Sequence, residues 1–282
     1  MPIVDLPQGR IHYRVAGPES GDHPPVVFVH GLLVNAELWS GVARALAERG
    51  IRSYAPDLPL GAHPTPLAEG ADRSPRGLAQ LLLDFLAAHD LTDVTLVGND
   101  TGGALCQFAV DTDASRIARL VLTNCDAFDK FPPAPFGALV RLGRRPGRLR
   151  LAMKAAGARP MRHSVLGYGG LVSKPLDPEV TANWVRPMVA DPAIATDVAR
   201  FFAAMDKREL AAVGERLDRF SKPVLLLWGD ADPFFKIRFA ERLAATFPDT
   251  RLIRIEGGRT FVPLDFPERV ADEIAAFLQV PA

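Results

Sequence analysis

The stretch Leu96-Val97-Gly98-Asn99-Asp100-Thr101-Gly102-Gly103 decides the fold. Val94 to Gly98 is a continuous apolar run, as in a strand buried on both faces. Thr101 to Asp111 has helical spacing. A strand that passes into a helix within so few residues needs a sharp turn. Gly98 and Gly102 fit the close packing and unusual backbone angles that such a turn imposes. Asp100 is at the apex. Two readings stay open for it: a reacting carboxylate above the N-terminus of the helix, or an N-cap for that helix, a role Asp fills well.

Outward from this turn the chain alternates between strand and helix patterns. Arg10 to Ala16, Pro25 to His30 and Ile51 to Ala55 read as strands before it, and Ala118 to Asn124 as the strand after it. Ala36 to Arg49 and Ser74 to Asp90 have helical spacing, the second with Ser74 as N-cap and Pro75 at N1. Pro56 to Ala71 is rich in Pro and Gly and reads as a loop. This alternation predicts an α/β fold with a mostly parallel sheet between helices. Past Asp126 the pattern changes to helical segments punctuated by Gly and Pro. It resumes with strands over Pro223 to Trp228 and Arg251 to Ile255 and helices over Arg238 to Phe247 and Pro267 to Leu278. The expected organisation is a core of residues 1–126 and 220–282 with an inserted helical cap, residues 127–219.

With 282 residues, 48% of them apolar, the chain can bury a large core. Its 33 Lys and Arg balance 33 Asp and Glu, so neither a nucleic acid nor a membrane is expected as a partner. The Arg-rich run from Arg141 to Arg150 reads as a solvated helix face. Cys106 and Cys125 have neither metal-ligand nor disulfide spacing and read as core thiols. No phosphate-cradling glycine loop occurs in the right context, so no cofactor is expected. Nothing resembles a signal peptide or a membrane span, which makes the cytoplasm the expected location.

Four landmarks follow one another in order: Val29-His30-Gly31, the turn Gly98-Asn99-Asp100-Thr101-Gly102, the loop Trp228-Gly229-Asp230-Ala231-Asp232-Pro233, and Gly257-Gly258-Arg259-Thr260-Phe261 before the last helix. Over essentially its full length the chain resembles a capped α/β-hydrolase. With Asp at the elbow it is similar to haloalkane dehalogenases, fluoroacetate dehalogenases and epoxide hydrolases. That resemblance implies a carboxylate that attacks an sp³ carbon to form an alkyl-enzyme ester. It also implies an anion hole from the backbone N–H groups of Leu32 and Thr101. Asp232 matches the acid of the triad, with Asp230 beside it as a turn residue. Asp126 stands where some relatives carry the acid instead.

The chain departs from these relatives at several positions. Thr260 takes the place of the triad histidine, with Gly257-Gly258 before it and Phe261, Asp265 and Pro267 after it. Thr101 stands where dehalogenases of the haloalkane type usually carry Trp, and Leu32 where they carry Asn. Epoxide hydrolases usually have Pro at the position of Leu33 and two cap tyrosines; the insertion here holds Tyr168 alone. His30 reads as a structural residue beneath the site. His163 lies in the cap, either on its surface or within reach of the pocket.

A serine must lose a proton before it attacks, so it needs its histidine from the start. A carboxylate with a reference pKa near ~4 is already ionised at neutral pH. The histidine matters later, when water must cleave the ester. Three classes of function therefore stay open. One is hydrolysis with a substitute base (His163, Asp126 or Asp232 through water). Another is one-step chemistry with Asp100 as general acid or base. The third is ligand binding without catalysis. The expected ligand is a small, mainly apolar, uncharged molecule.

Overall fold

The computed structural model describes residues 1–279. Its strands are β1 (Ile3–Leu6), β2 (Gly9–Ala16), β3 (Val26–Val29), β4 (Ser53–Pro56), β5 (Val94–Asp100), β6 (Ile117–Cys125), β7 (Val224–Gly229) and β8 (Thr250–Ile255). They form one sheet in the order β1-β2-β4-β3-β5-β6-β7-β8. β1 pairs antiparallel with β2, and β2 antiparallel with β4; every later pairing is parallel. β3, β6 and β7 are buried at every residue, as apolar runs covered on both faces must be.

Between the strands run α1 (Ser40–Glu48), α2 (Pro75–Ala88) and α3 (Thr101–Thr112). The Ser74 hydroxyl accepts from Gly77 N, and Pro75 opens α2, as the sequence predicts. The expected helix from Ala36 divides instead: Asn35 caps a 3₁₀ turn over Ala36–Trp39, and α1 begins only at Ser40. β1 has no counterpart in the sequence reading. It is a short edge strand, mostly exposed or half-buried, so it lacks the buried apolar run that marks the central strands.

From β6 to β7 the described chain is helical, with α4 (Gly137–Gly143), α5 (Pro146–Ala156), α6 (Arg159–Arg162), α7 (Pro178–Ala190), α8 (Pro192–Ala204) and α9 (Lys207–Gly214). α10 (Ile237–Thr246), α11 (Val262–Asp265) and α12 (Pro267–Phe277) complete the chain. α1 packs on α12 and α2 on α3, while α5 packs on α4, α6, α7 and α8. β3, β5, β6 and β7 run parallel and side by side. Their carboxyl ends therefore bring His30–Leu32, Asp100, Asp126 and the loop to Asp232 to one edge of the sheet. In α/β folds ligands bind in that crevice.

Candidate active site

Asp100 ends β5 with φ 54° and ψ −130°, a strained conformation for a residue with a side chain. The β5–β6 register shifts between Asn99 and Asp100, which is where the strand breaks into the turn. A Cβ on Gly102 would run into the carbonyls of Val29 and His30, and one on Gly31 would overlap the Asp100 carboxylate. Those glycines let β3 and the head of α3 close around the apex. Asp100 occupies the N-cap position of α3, but its side chain makes no capping hydrogen bond further into the helix. Its Oδ2 instead accepts from Leu32 N at 2.9 Å, and the neighbouring Thr101 N–H favours the ionised carboxylate.

Burial pushes the Asp100 carboxyl up to about 7. The two N–H groups oppose that shift, and the nearby Asp232 adds to it. Asp126 is fully buried one residue past β6 and accepts from Thr101 Oγ1 at 2.8 Å. Burial and the neighbouring Asp100 hold its carboxyl well above the usual range. Thr101 thus stands between the two carboxyl groups with its hydroxyl turned to Asp126.

Asp232 lies on the loop after β7. Its Oδ1 accepts from Phe234 N (2.7 Å) and Phe235 N (3.0 Å). Its Oδ2 accepts from Asn124 Nδ2 (2.8 Å) and Thr260 Oγ1 (3.0 Å). Burial raises its pKa, and these four bonds work against the rise. Asp230 bonds to Gly257 N at the exposed side of the same loop. Thr260 is fully buried and joins the network twice: its hydroxyl donates to Asp232 and its carbonyl accepts from Asn99 Nδ2 at 2.7 Å. Asp232 and Thr260 therefore meet, and a hydroxyl bonded to a carboxylate is no general base.

The histidines lie elsewhere. His163 Nε2 bonds to Thr181 Oγ1 on α7, 2.9 Å away, and no bond links it to Asp100 or Asp232 among the described residues. Its ring ties the end of α6 to α7. His30 is completely buried. Its Nδ1–H donates to the Gly31 carbonyl (2.9 Å), and its Nε2 accepts from Leu58 N (2.8 Å). Burial lowers its pKa to about 4, so it stays neutral and shapes the loop that presents Leu32 N. Tyr168 donates its hydroxyl to the Leu33 carbonyl at 2.6 Å and packs edge-on against Trp184, which in turn packs on Phe261. Its hydroxyl is committed to backbone, and burial pushes its pKa up.

Sequence reasoning missed the residues that hold this arrangement together. Asn99 bridges Thr123 and the Thr260 carbonyl, and Asn124 ties Asp232 to Gly229. Both are amides at strand ends, where a fully buried polar side chain needs partners in neighbouring loops. Asn35 accepts from Trp184 Nε1 at 3.0 Å, joining α7 to the loop after β3. Among the described residues no group of three or more His, Cys, Asp or Glu is placed to hold a metal ion.

The family model described as alpha/beta hydrolase fold matches residues 24–267. Haloalkane dehalogenase 2 of Mycobacterium tuberculosis is 30% identical over 296 residues, spanning 96% of this chain and 92% of its own length. The structure of a putative ancestral haloalkane dehalogenase superposes with a TM-score of 0.79 at 22% identity, covering 99% of this chain and 98% of that one. The epoxide hydrolase CorEH gives 0.75 at 21% identity, over 98% and 97% of the two chains. At such identities the two structures speak to the fold alone.

Proposed function

The chain belongs to the alpha/beta hydrolase fold family. From that premise we propose that it is a cofactor-independent enzyme of hydrolase type, with Asp100 as the reacting carboxylate. The helical insertion caps the site, and the substrate is a small, mainly apolar electrophile. The supporting observation is the seating of Asp100 Oδ2 against the N–H group of Leu32, with the Thr101 N–H also favouring the ionised carboxylate. That seat is filled by the enzyme's own oxygen, so no oxyanion hole is left for a substrate carbonyl. It suits attack by Oδ1 on an sp³ carbon, whose bond to a halide or an epoxide oxygen breaks as the ester forms, while Oδ2 becomes the ester carbonyl and stays in place. Water attack on that ester would put the developing negative charge on Oδ2, already against the Leu32 N–H.

Water activation is the weak step. Asp232 is saturated with hydrogen bonds, Thr260 is not a base, and His163 is bonded to Thr181. The first half-reaction is built, and the second is slow. The halide-holding side chains of dehalogenase-like sites are also replaced: Leu32 is apolar, and the Thr101 hydroxyl is bonded to Asp126.

One observation favours a second reading. A carboxyl poised at about 7 is well matched to general-base work at neutral pH, either on a carbon acid or on water in a direct displacement. Single turnover in ¹⁸O-labelled water separates the two readings. Through an ester, the label enters the Asp100 carboxylate and the first product carries unlabelled oxygen. Through direct water attack, the label appears in the product. Asp100→Asn removes turnover under either reading; full activity in that variant contradicts both.

A further inference from the structure

The zero net charge conceals a strong segregation. From Lys130 to Leu176 the chain contains ten Lys and Arg and no Asp or Glu. Because the whole chain is balanced at 33 of each, the remainder carries ten acids in excess. Arg141, Arg144, Arg145, Arg148, Arg150 and Lys154 are all exposed, on α4, α5 and the turn between them. Among the described residues none of the six has a carboxylate partner within ion-pair distance. Arg144 and Arg150 bond only to the carbonyls of Phe202 and Val189.

The same segment carries most of the exposed large apolar side chains. Seven such residues occur among the described residues, and five are here: Leu142, Leu151 (69% exposed), Met161, Val165 (75%) and Leu166 (85%). Two of these expose more of themselves than any other large apolar residue described, at the tip of the loop after α6. A solvated helix face explains the arginines but not the leucines between them. On α5, Leu149 and Met153 face inward while Leu151 stands outward among Arg148, Arg150 and Lys154. A groove of about 410 Å³ opens there, lined by Gly147, Arg150, Leu151, Lys154 and Val189.

We propose that this basic segment, with its exposed apolar side chains, docks on an anionic lipid surface. Val165 and Leu166 enter the interface, and the arginines of α4 and α5 meet the lipid phosphates. Cations attract the anionic headgroups, and exposed apolar side chains are stabilised only where water is displaced. A polyanion such as nucleic acid satisfies the first group and not the second. No helix among the described residues is long and apolar enough to cross a membrane, so the contact is peripheral. It would place the insertion at the layer into which an apolar substrate partitions, whatever chemistry Asp100 performs.

Flotation of the full chain at low salt tests this. The vesicles contain phosphatidylcholine with an equal part of phosphatidylglycerol, or phosphatidylcholine alone, and duplex DNA forms a parallel arm. Binding is expected to the mixed vesicles and not to phosphatidylcholine. Each cation near an anionic surface is worth about five-fold in affinity, so Arg145→Glu with Arg148→Glu weakens binding by about 30-fold or more. Val165→Ser with Leu166→Ser, at exposed side chains whose loss leaves the core intact, also weakens it. Failure to bind the mixed vesicles overturns the proposal, as does equal binding to phosphatidylcholine. So does vesicle binding that the serine pair leaves unchanged, with duplex DNA bound as tightly: the face would then be a polyanion surface.

Discussion

Under the proposed function a single proton decides whether Asp100 can act. The fold raises its carboxyl from an ordinary value near ~4 to about 7, chiefly because the residue is withdrawn from water, and the Leu32 and Thr101 amides recover only part of that cost. The attacking species, and equally the general base, is the ionised form. Activity is therefore expected to be low at pH 5, to rise with pH through a midpoint near 7, and to level off above it. A kcat/KM profile on any substrate that turns over checks this. A profile already flat from pH 5 upward would mean that Asp100 is ionised far more easily than its surroundings imply.

At the scale of elements, α8 is pinned to the segment before α2 by a buried charge cluster distinct from the elbow. Asp197 on α8 accepts from Arg73 Nε (2.6 Å) and from Leu67 N (2.8 Å), and lies 3.3 Å from His63 Nε2. Burial pushes its carboxyl up, but these partners outweigh burial and hold it below its ordinary value. Arg73→Met leaves a buried carboxylate short of its cation. It should cost about 3–5 kcal/mol in denaturant unfolding, and a change under 1 kcal/mol would show the cluster to be incidental.

This latch was hidden in the sequence because His63, Arg73 and Asp197 are far apart in the chain and sit on a loop, a helix approach and a helix face with no shared motif. The elbow was legible for the opposite reason. Its strand, turn glycines and helix are contiguous, so local sterics write themselves into neighbouring residues. Asn99 and Asn124 fall between these cases: their places at strand ends were readable, but partners more than a hundred residues away, such as Thr260 and Asp232, were not. His163 was a reasonable candidate by chemistry, and only the packing of α6 against α7 shows its ring bonded to Thr181.

Across the whole molecule, parallel strands deliver four loops to one sheet edge. The site is therefore assembled by topology, and the side chains only tune it. The family membership and the sheet were both accessible from ordered landmarks. Composition concealed the charge segregation, since an average over the whole chain erases a basic segment set against an acidic remainder. The same view bears on Thr260, which the proposed function reads in the place of a triad histidine. The scaffold still orients Asp100, Asp232 and the Leu32 and Thr101 amides, and the network around Thr260 is closed by hydrogen bonds without the imidazole.

The most direct test of the central claim is intact-protein mass spectrometry after incubation with a panel of epoxides and haloalkanes, with Asp100→Asn and Thr260→His alongside. The account predicts a persistent adduct of one substrate equivalent that maps to Asp100 and is absent from Asp100→Asn. In Thr260→His the adduct should turn over as product is released. An adduct on another residue would contradict it. So would substrate consumed at the same rate by the wild type and Asp100→Asn, because the carboxylate at the elbow would then not be the reacting group.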